Sequence, residues 1–226
     1  MTSADAAGGP PAWLRRVADT AAGAWAEQAG RWSPPDDTAR ESAVLLLFGE
    51  TDGRPDVLLI ERAAGLRRHA GQAAFPGGGA DPGDDGPIGT ALRECAEETG
   101  VDPAGVEVIA TLPPVWISVS NYSVTPVLAW WREPCEVRVA DPTEVASVHR
   151  VPVSELTDPA NRLQLQYPSG HSGPAFRASG LLIWGFTAKV LSRLFDAAAI
   201  AQPWDRTLVE PLPTGPALRR EGRGGS

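Results

Sequence analysis

Apolar residues recur at helical spacing near the start of the chain. Trp13, Leu14, Val17, Ala21 and Trp25 fall on one face of an amphipathic helix over 13–28. A polar stretch over 31–40, containing Pro34-Pro35-Asp36-Asp37, then reads as a linker. The next two apolar runs, 43–49 and 56–61, are strand-sized, and Asp52-Gly53 supplies the turn of a hairpin between them. Residues 62–87 lose periodicity and are rich in Gly and Pro, which predicts a long loop of the kind that usually carries function. A helix is expected over 88–99, stopped by Gly100. Strands follow over 106–112, 115–119, 122–131 and 145–151, then a helical turn over 154–156. A last helix is expected over 181–200, with an apolar face running from Leu182 to Phe195. This order predicts a single α/β domain over 41–200 with a mixed sheet bracketed by helices. A flexible tail (1–11) and a helix with its linker (12–40) precede it, and a second tail (201–226) follows.

Composition narrows the function. With 226 residues, 42% of them hydrophobic, the chain has enough apolar surface for a sizeable core. No stretch approaches eighteen apolar residues, so no transmembrane helix is expected. The first residues lack the basic and apolar regions of a secretory signal. Cys95 and Cys135 are too few for a disulfide framework or a zinc site, which makes a reducing cytoplasm the simplest setting. A net charge of -8 disfavours nonspecific binding to nucleic acid. An acidic protein still handles anionic substrates if divalent metals stand between the two. Lys189 is the only lysine, a compositional bias from which no function follows.

The sharpest chemical feature is Leu92-Arg93-Glu94-Cys95-Ala96-Glu97-Glu98-Thr99-Gly100-Val101. On a helix, Glu94, Glu97 and Glu98 stand at i, i+3 and i+4, on one face. Three like charges there repel, and solvent, Arg93 or hard cations must compensate. Carboxylate oxygens suit Mg²⁺ or Mn²⁺, which keep several waters and accept substrate phosphate oxygens. On its own the cluster reads first as a solvated acidic face, and the surrounding residues shift the balance.

Upstream stands Phe75-Pro76-Gly77-Gly78-Gly79-Ala80-Asp81-Pro82-Gly83-Asp84-Asp85. Together the two stretches resemble the Nudix box, G-x5-E-x7-R-E-U-x-E-E-x-G-U, where U is aliphatic. Gly79, Arg93, Glu94, Glu97, Glu98, Gly100 and Val101 fit its spacing. Asp85 stands where the motif has Glu, and Cys95 is a less usual U residue. Asp85 is one methylene shorter than Glu, and Asp84 is the alternative partner for Arg93. The resemblance extends to Leu58-Leu59-Ile60-Glu61-Arg62 and to 66–78, which look like the coenzyme A pyrophosphatase branch of that superfamily. Val124-Thr125-Pro126-Val127, Glu144-Val145, Val151-Pro152 and 183–188 also match, so the likeness covers roughly 42–197. It implies an α/β/α sandwich, Mg²⁺ or Mn²⁺ dependence, and cleavage of coenzyme A or acyl-CoA to 3′,5′-ADP and 4′-phosphopantetheine.

Within that resemblance Glu94, Glu97 and Glu98, with the backbone at Gly78, are the expected metal ligands. Glu97, Glu98, Arg93 and Glu144 are the expected catalytic set. For Glu144, a turn carboxylate with no catalytic part is an equal alternative. Arg62, Arg67 and Arg68 precede the box, and an arginine fork is a natural partner for the 3′-phosphate of coenzyme A. Gly71, Gln72, Phe75, Gly77 and Gly78 complete the expected substrate contacts. His69 reads as a loop or substrate residue, Cys95 as core. Two other readings remain: a diphosphatase for ADP-ribose, NADH or a related nucleoside diphosphate, and a silent binding module of the same fold. The helix over 13–28 either covers its own chain or joins two copies in a homodimer.

Overall fold

The computed structural model describes residues 9–19, 38–66, 69–118 and 120–213. Arg67, Arg68, Trp25 and the rest of the expected helix and linker over 20–37 lie outside them. The chain opens with a helix over 12–19 (α1) and continues into the strands β1 (Arg40–Thr51) and β2 (Arg54–Arg62). These two pair antiparallel across Asp52-Gly53, as the turn predicts. Two short strands, β3 (Ala73–Ala74) and β4 (Gly77–Gly79), lie inside the segment expected to be a loop. Then come α2 (Gly86–Thr99), β5 (Val106–Thr111), β6 (Val115–Ile117), β7 (Tyr122–Trp131), β8 (Val145–Pro152) and α3 (Val153–Thr157). The chain ends in β9 (Arg162–Gln166), β10 (Ser172–Ala178), β11 (Leu181–Ile183), α4 (Gly185–Ala197) and β12 (Val209–Pro211).

The main sheet is mixed. Its path is β3-β2-β1-β7-β5, with β4 on β1, β6 on β7 and β8 on β2. β1 and β7 run parallel, whereas β5 and β6 lie antiparallel to β7. Residues Ala43 to Phe48 form a continuous apolar run because both faces of the sheet are covered. Ala43, Leu45, Leu47, Val127, Ala129 and Trp131 meet Ala91 and Cys95 of α2. Leu46, Phe48, Leu128 and Trp130 belong to the larger core, with Leu14 and Val17 of α1, Leu156 of α3 and Leu191 and Phe195 of α4. The result is the expected α/β/α layering.

Three expectations change. The last helix begins at Gly185, because Leu181–Ile183 pair with β10 across a Ser179-Gly180 turn. Both turn residues have positive φ, 49° and 75°, the geometry that closes a two-residue hairpin. β9, β10 and β11 form a second sheet where the sequence pattern predicts no strand. The start of the expected C-terminal tail supplies its fourth strand, β12, parallel to β9. α1 packs on its own chain: Leu14 and Val17 are fully buried, and Trp13 meets Phe48 edge-on at 5.3 Å. Among the described residues no helix is long and apolar enough to cross a membrane. Cys95 and Cys135 are free.

One ion pair pins the β1–β2 hairpin. Asp56, 3% exposed, accepts from Arg150 Nε and Nη2 at 3.1 and 3.0 Å and from Thr51 Oγ1 at 2.6 Å. Arg150 also lies over the Trp131 ring, 4.8 Å from its centroid. Removing Asp56 leaves Arg150, 23% exposed and still bonded to Glu50 O, without its carboxylate, at a cost of about 3 kcal/mol, the low end for a broken buried pair. Asp56→Ala is therefore expected to lower Tm by roughly 6–12 °C in a thermal melt.

Candidate active site

The site is built where α2 crosses the Gly-rich strand β4. Pro87 stands in the first turn of α2, and Gly100 ends the helix in the left-handed region with its N–H on Ala96 O. The apolar residues Ala91 and Cys95 seat the helix on β1, which turns Glu94 and Glu98 toward β4. Burial pushes the Cys95 thiol up to about 12, so it stays a thiol within the core.

β4 lies against β1 in antiparallel register, Ala43 opposite Gly78 and Val44 opposite Gly77. Gly77 has φ 153°, and a Cβ there would enter the Ala43 carbonyl. A Cβ on Gly78 would collide with the Glu94 carboxylate. Gly77 is thus demanded by close approach to the β1 backbone, whereas a side chain at Gly78 would instead displace the Glu94 carboxylate. The Gly77 N–H donates to Glu98 Oε2 at 3.0 Å.

Glu98 is 2% exposed. Its Oε1 is buried without a hydrogen-bond partner, and Arg62 Nη1 stands 3.9 Å away. Burial pushes its pKa up to about 8, against the lowering effects of the Gly77 N–H and Arg62; Glu94 and Glu144 add to the rise. Glu94 is also raised, first by burial, with Arg93 opposing. Two carboxylates held in a desolvated place, one with an idle oxygen, invite a cation.

Arg93 organises the approach to this face. It takes Asp84 through Nε at 2.8 Å and Nη2 at 3.0 Å, Gly79 O at 3.0 Å, Glu94 at 3.1 Å and Glu97 at 3.0 Å. The Arg93 partner is therefore Asp84, not Asp85. Asp84 is turned inward by the 81–84 turn and also accepts from Thr90 Oγ1 and Asp81 N, whereas Asp85 caps α2 without a side-chain bond. The Arg93 hydrogen bonds hold the Asp84 carboxyl well below its ordinary range. Asp84→Asn is expected to loosen the loop and lower turnover by roughly ten-fold or more, as small misplacements of catalytic groups do. Asp85→Asn should leave turnover near wild type in the same assay.

The remaining candidates divide. Arg62 ends β2 between Glu98 and Glu144, 3.9 Å from each, which brings Glu144 to the edge of the acidic face. Glu97 is the most exposed of the three helix glutamates, its side chain 59% accessible and paired with Arg93. Gly71, with φ 69°, closes the loop by donating to Arg62 O, and Gln72 O accepts from Arg62 N. The exposed His69 bonds Gln72 Oε1 through Nδ1 at 3.0 Å. Phe75 is not placed as a substrate contact: it is 2% exposed and packs in the main core beside Ala73. Thr187, in the 183–188 stretch, donates its hydroxyl to Ala73 O at 3.2 Å and so anchors this loop to α4.

Among the described residues no three Asp, Glu, His or Cys side chains close into a finished cage. Mg²⁺ does not need one, being held by one or two carboxylates with water and phosphate oxygens completing its shell. The idle Oε1 of Glu98, the Glu94 carboxylate and the Gly78 backbone beside it are an oxygen-only set and fit such an ion.

A family model described as NUDIX domain matches residues 38–169. An uncharacterized Nudix hydrolase, NudL, from Citrobacter koseri is 39% identical over 162 residues, covering 69% of this chain and 81% of the relative. NudL of Escherichia coli K12 is 37% identical over 158 residues, with the same coverage. Among solved structures, the Nudix hydrolase RenU from M. smegmatis superposes with a TM-score of 0.51 at 22% identity. That match spans 74% of this chain and 91% of RenU and is a likeness of fold.

Proposed function

This chain belongs to the Nudix family, and from that premise we propose that it hydrolyses the pyrophosphate bond of coenzyme A or an acyl-CoA. The products are 3′,5′-ADP and 4′-phosphopantetheine or its acyl form. The observation that carries the hydrolase reading is the pairing of Glu94 and Glu98 with the Gly77–Gly78 backbone, with one buried carboxylate oxygen left idle. Glu94 and Glu98 would hold the divalent ion, Mg²⁺ or Mn²⁺, with Glu97 and the Gly78 backbone completing the protein's share. When bound, the ion supplies positive charge that offsets the pyrophosphate oxygens.

The chain's own residues do the rest. The Gly77 N–H fixes the Glu98 carboxylate in one orientation. Arg93 ties the 79–84 loop to the helix and is a positioning residue. Glu144 is the base in this reading, its Oε2 taking a proton from the attacking water as the phosphoanhydride breaks. Arg62 stands beyond hydrogen-bond distance from both its carboxylates, which leaves its donors for substrate phosphate oxygens.

The choice of coenzyme A rests on the sequence of the 58–78 segment, with Arg67 and Arg68 as further phosphate contacts. A cytoplasmic setting accords with two free cysteines. A homodimer draws no support from α1, whose apolar face over 12–19 is spent on its own core. The test is turnover of coenzyme A, acetyl-CoA, 3′-dephospho-coenzyme A, NADH and ADP-ribose with Mg²⁺ or Mn²⁺. Coenzyme A should exceed its dephospho form by about ten-fold or more, the worth of one charged bidentate contact. Arg67→Ala should narrow that gap. Equal rates on both, or faster ADP-ribose cleavage, would move the chain to the wider nucleoside diphosphate class.

A further inference from the structure

A buried positive charge sits on the opposite side of the main sheet from α2. Arg162, the first residue of β9, is 1% exposed. Its guanidinium lies over the rings of Trp204 and Phe176, 4.7 and 5.1 Å from their centroids. Nη2 donates to Ser192 Oγ of α4 at 2.7 Å. Nε and Nη1 are buried with no acceptor, and so is the indole Nε1 of Trp204.

Among the described residues nothing pairs directly with this charge. No carboxylate among them lies within ion-pair distance of Arg162; Asp196, one turn beyond Ser192, is exposed and acts on it only from beyond that distance. Asp205 is spent on Thr207 N and Oγ1, at 2.8 and 2.6 Å. Arg206 lies 5.5 Å from the centroid of the same Trp204 ring and adds a second positive charge. An arginine does not escape by losing its proton. Three buried donors and a net positive charge without one acceptor describe the complement of an anion.

We propose that Arg162, Ser192 and Trp204 form a receptor for a small oxyanion of the phosphate type, separate from the acidic face of α2. Its donor set contains no carboxylate, so it takes the anion directly and without a metal. The ligand offsets the Arg162 charge and accepts its idle N–H groups, and the loop from α4 to β12 is held down over it by Trp204.

The probe is inorganic phosphate, in metal-free buffer, against chloride at matched ionic strength. Near a hundred-fold excess over Kd, wild-type Tm should rise by about 5–10 °C. Phosphate also stabilises proteins by exclusion from their surface, and Arg162→Met measures that part. Arg162→Met should be at least as stable as wild type in chloride, because an unpaired buried charge is gone, and should lose most of the phosphate response. Trp204→Phe keeps the ring and removes one donor, so its half-saturating phosphate should rise about five-fold. The same phosphate response in wild type and Arg162→Met overturns the proposal. If Arg162→Met does not fold, unchanged half-saturation in Trp204→Phe overturns it instead.

Discussion

Glu98→Gln is expected to fold and to lose about 10²–10³ in turnover, the usual cost of removing one preorganised electrostatic group. The substitution keeps the shape and an acceptor for the Gly77 N–H, and removes a full charge from the place where an ion would bind. Glu97→Gln should be milder, since Glu97 is largely exposed and its visible partner is Arg93. The same residue produces a pH signature in the metal-free protein. Its folded pKa, about 8, stands above the unfolded value of 4.5, so the folded state binds the extra proton between these limits. Stability is then fully present below pH 4.5 and is lost as pH rises through 8, on the order of 5 kcal/mol. Thermal melts without metal should show that decline in wild type, and in Glu98→Gln only the smaller part that the raised Glu94 leaves. Divalent metal should flatten it, because an ion favours the carboxylate.

The second large effect is expected from a single methyl group. Gly78→Ala places a Cβ inside the Glu94 carboxylate and must push that side chain out of position. A displacement of about 1 Å in a catalytic constellation costs on the order of 10² in rate. Gly78 does not need a left-handed backbone, so the variant should fold, with turnover lost and Tm little changed. Gly79→Ala, one residue on, meets open space and should behave as wild type. A steady-state assay of both variants with a Tm for each checks the contrast. If Gly78→Ala retains full turnover, Glu94 does not act from its place beside β4.

The acidic face was legible because its information is periodic. Glu94 and Glu98 stand one helical turn apart, and Gly100 marks the end of the helix, so spacing alone put both carboxylates on one side. The β1–β2 hairpin followed from Asp52-Gly53 in the same way. What sequence spacing did not carry was the course of loops. Asp84 and Asp85 are adjacent, and only the 81–84 turn decides that the first faces Arg93 while the second begins α2. Phe75 sits in a Gly-rich segment that reads as a loop, yet β3 gives it the inward direction of Ala73. In the second sheet, Leu163 and Leu165 alternate with Gln164 and Gln166, a five-residue signal beside turns rich in Gly and Pro. Leu181–Ile183 is shorter still, and its aliphatic residues merge with the face of α4. A buried Arg162 has no signature in sequence at all, since an arginine there reads as surface charge.

The central claim is that the face formed by Glu94 and Glu98 is a divalent metal site that serves phosphoanhydride hydrolysis. Titration of Mn²⁺ into the protein, with free ion followed by electron paramagnetic resonance, tests it most directly. Wild type should bind Mn²⁺ in competition with Mg²⁺, and Glu98→Gln should weaken that binding by about ten-fold or more while remaining folded. Equal Mn²⁺ affinity in wild type and Glu98→Gln would contradict the account and move the metal away from this face.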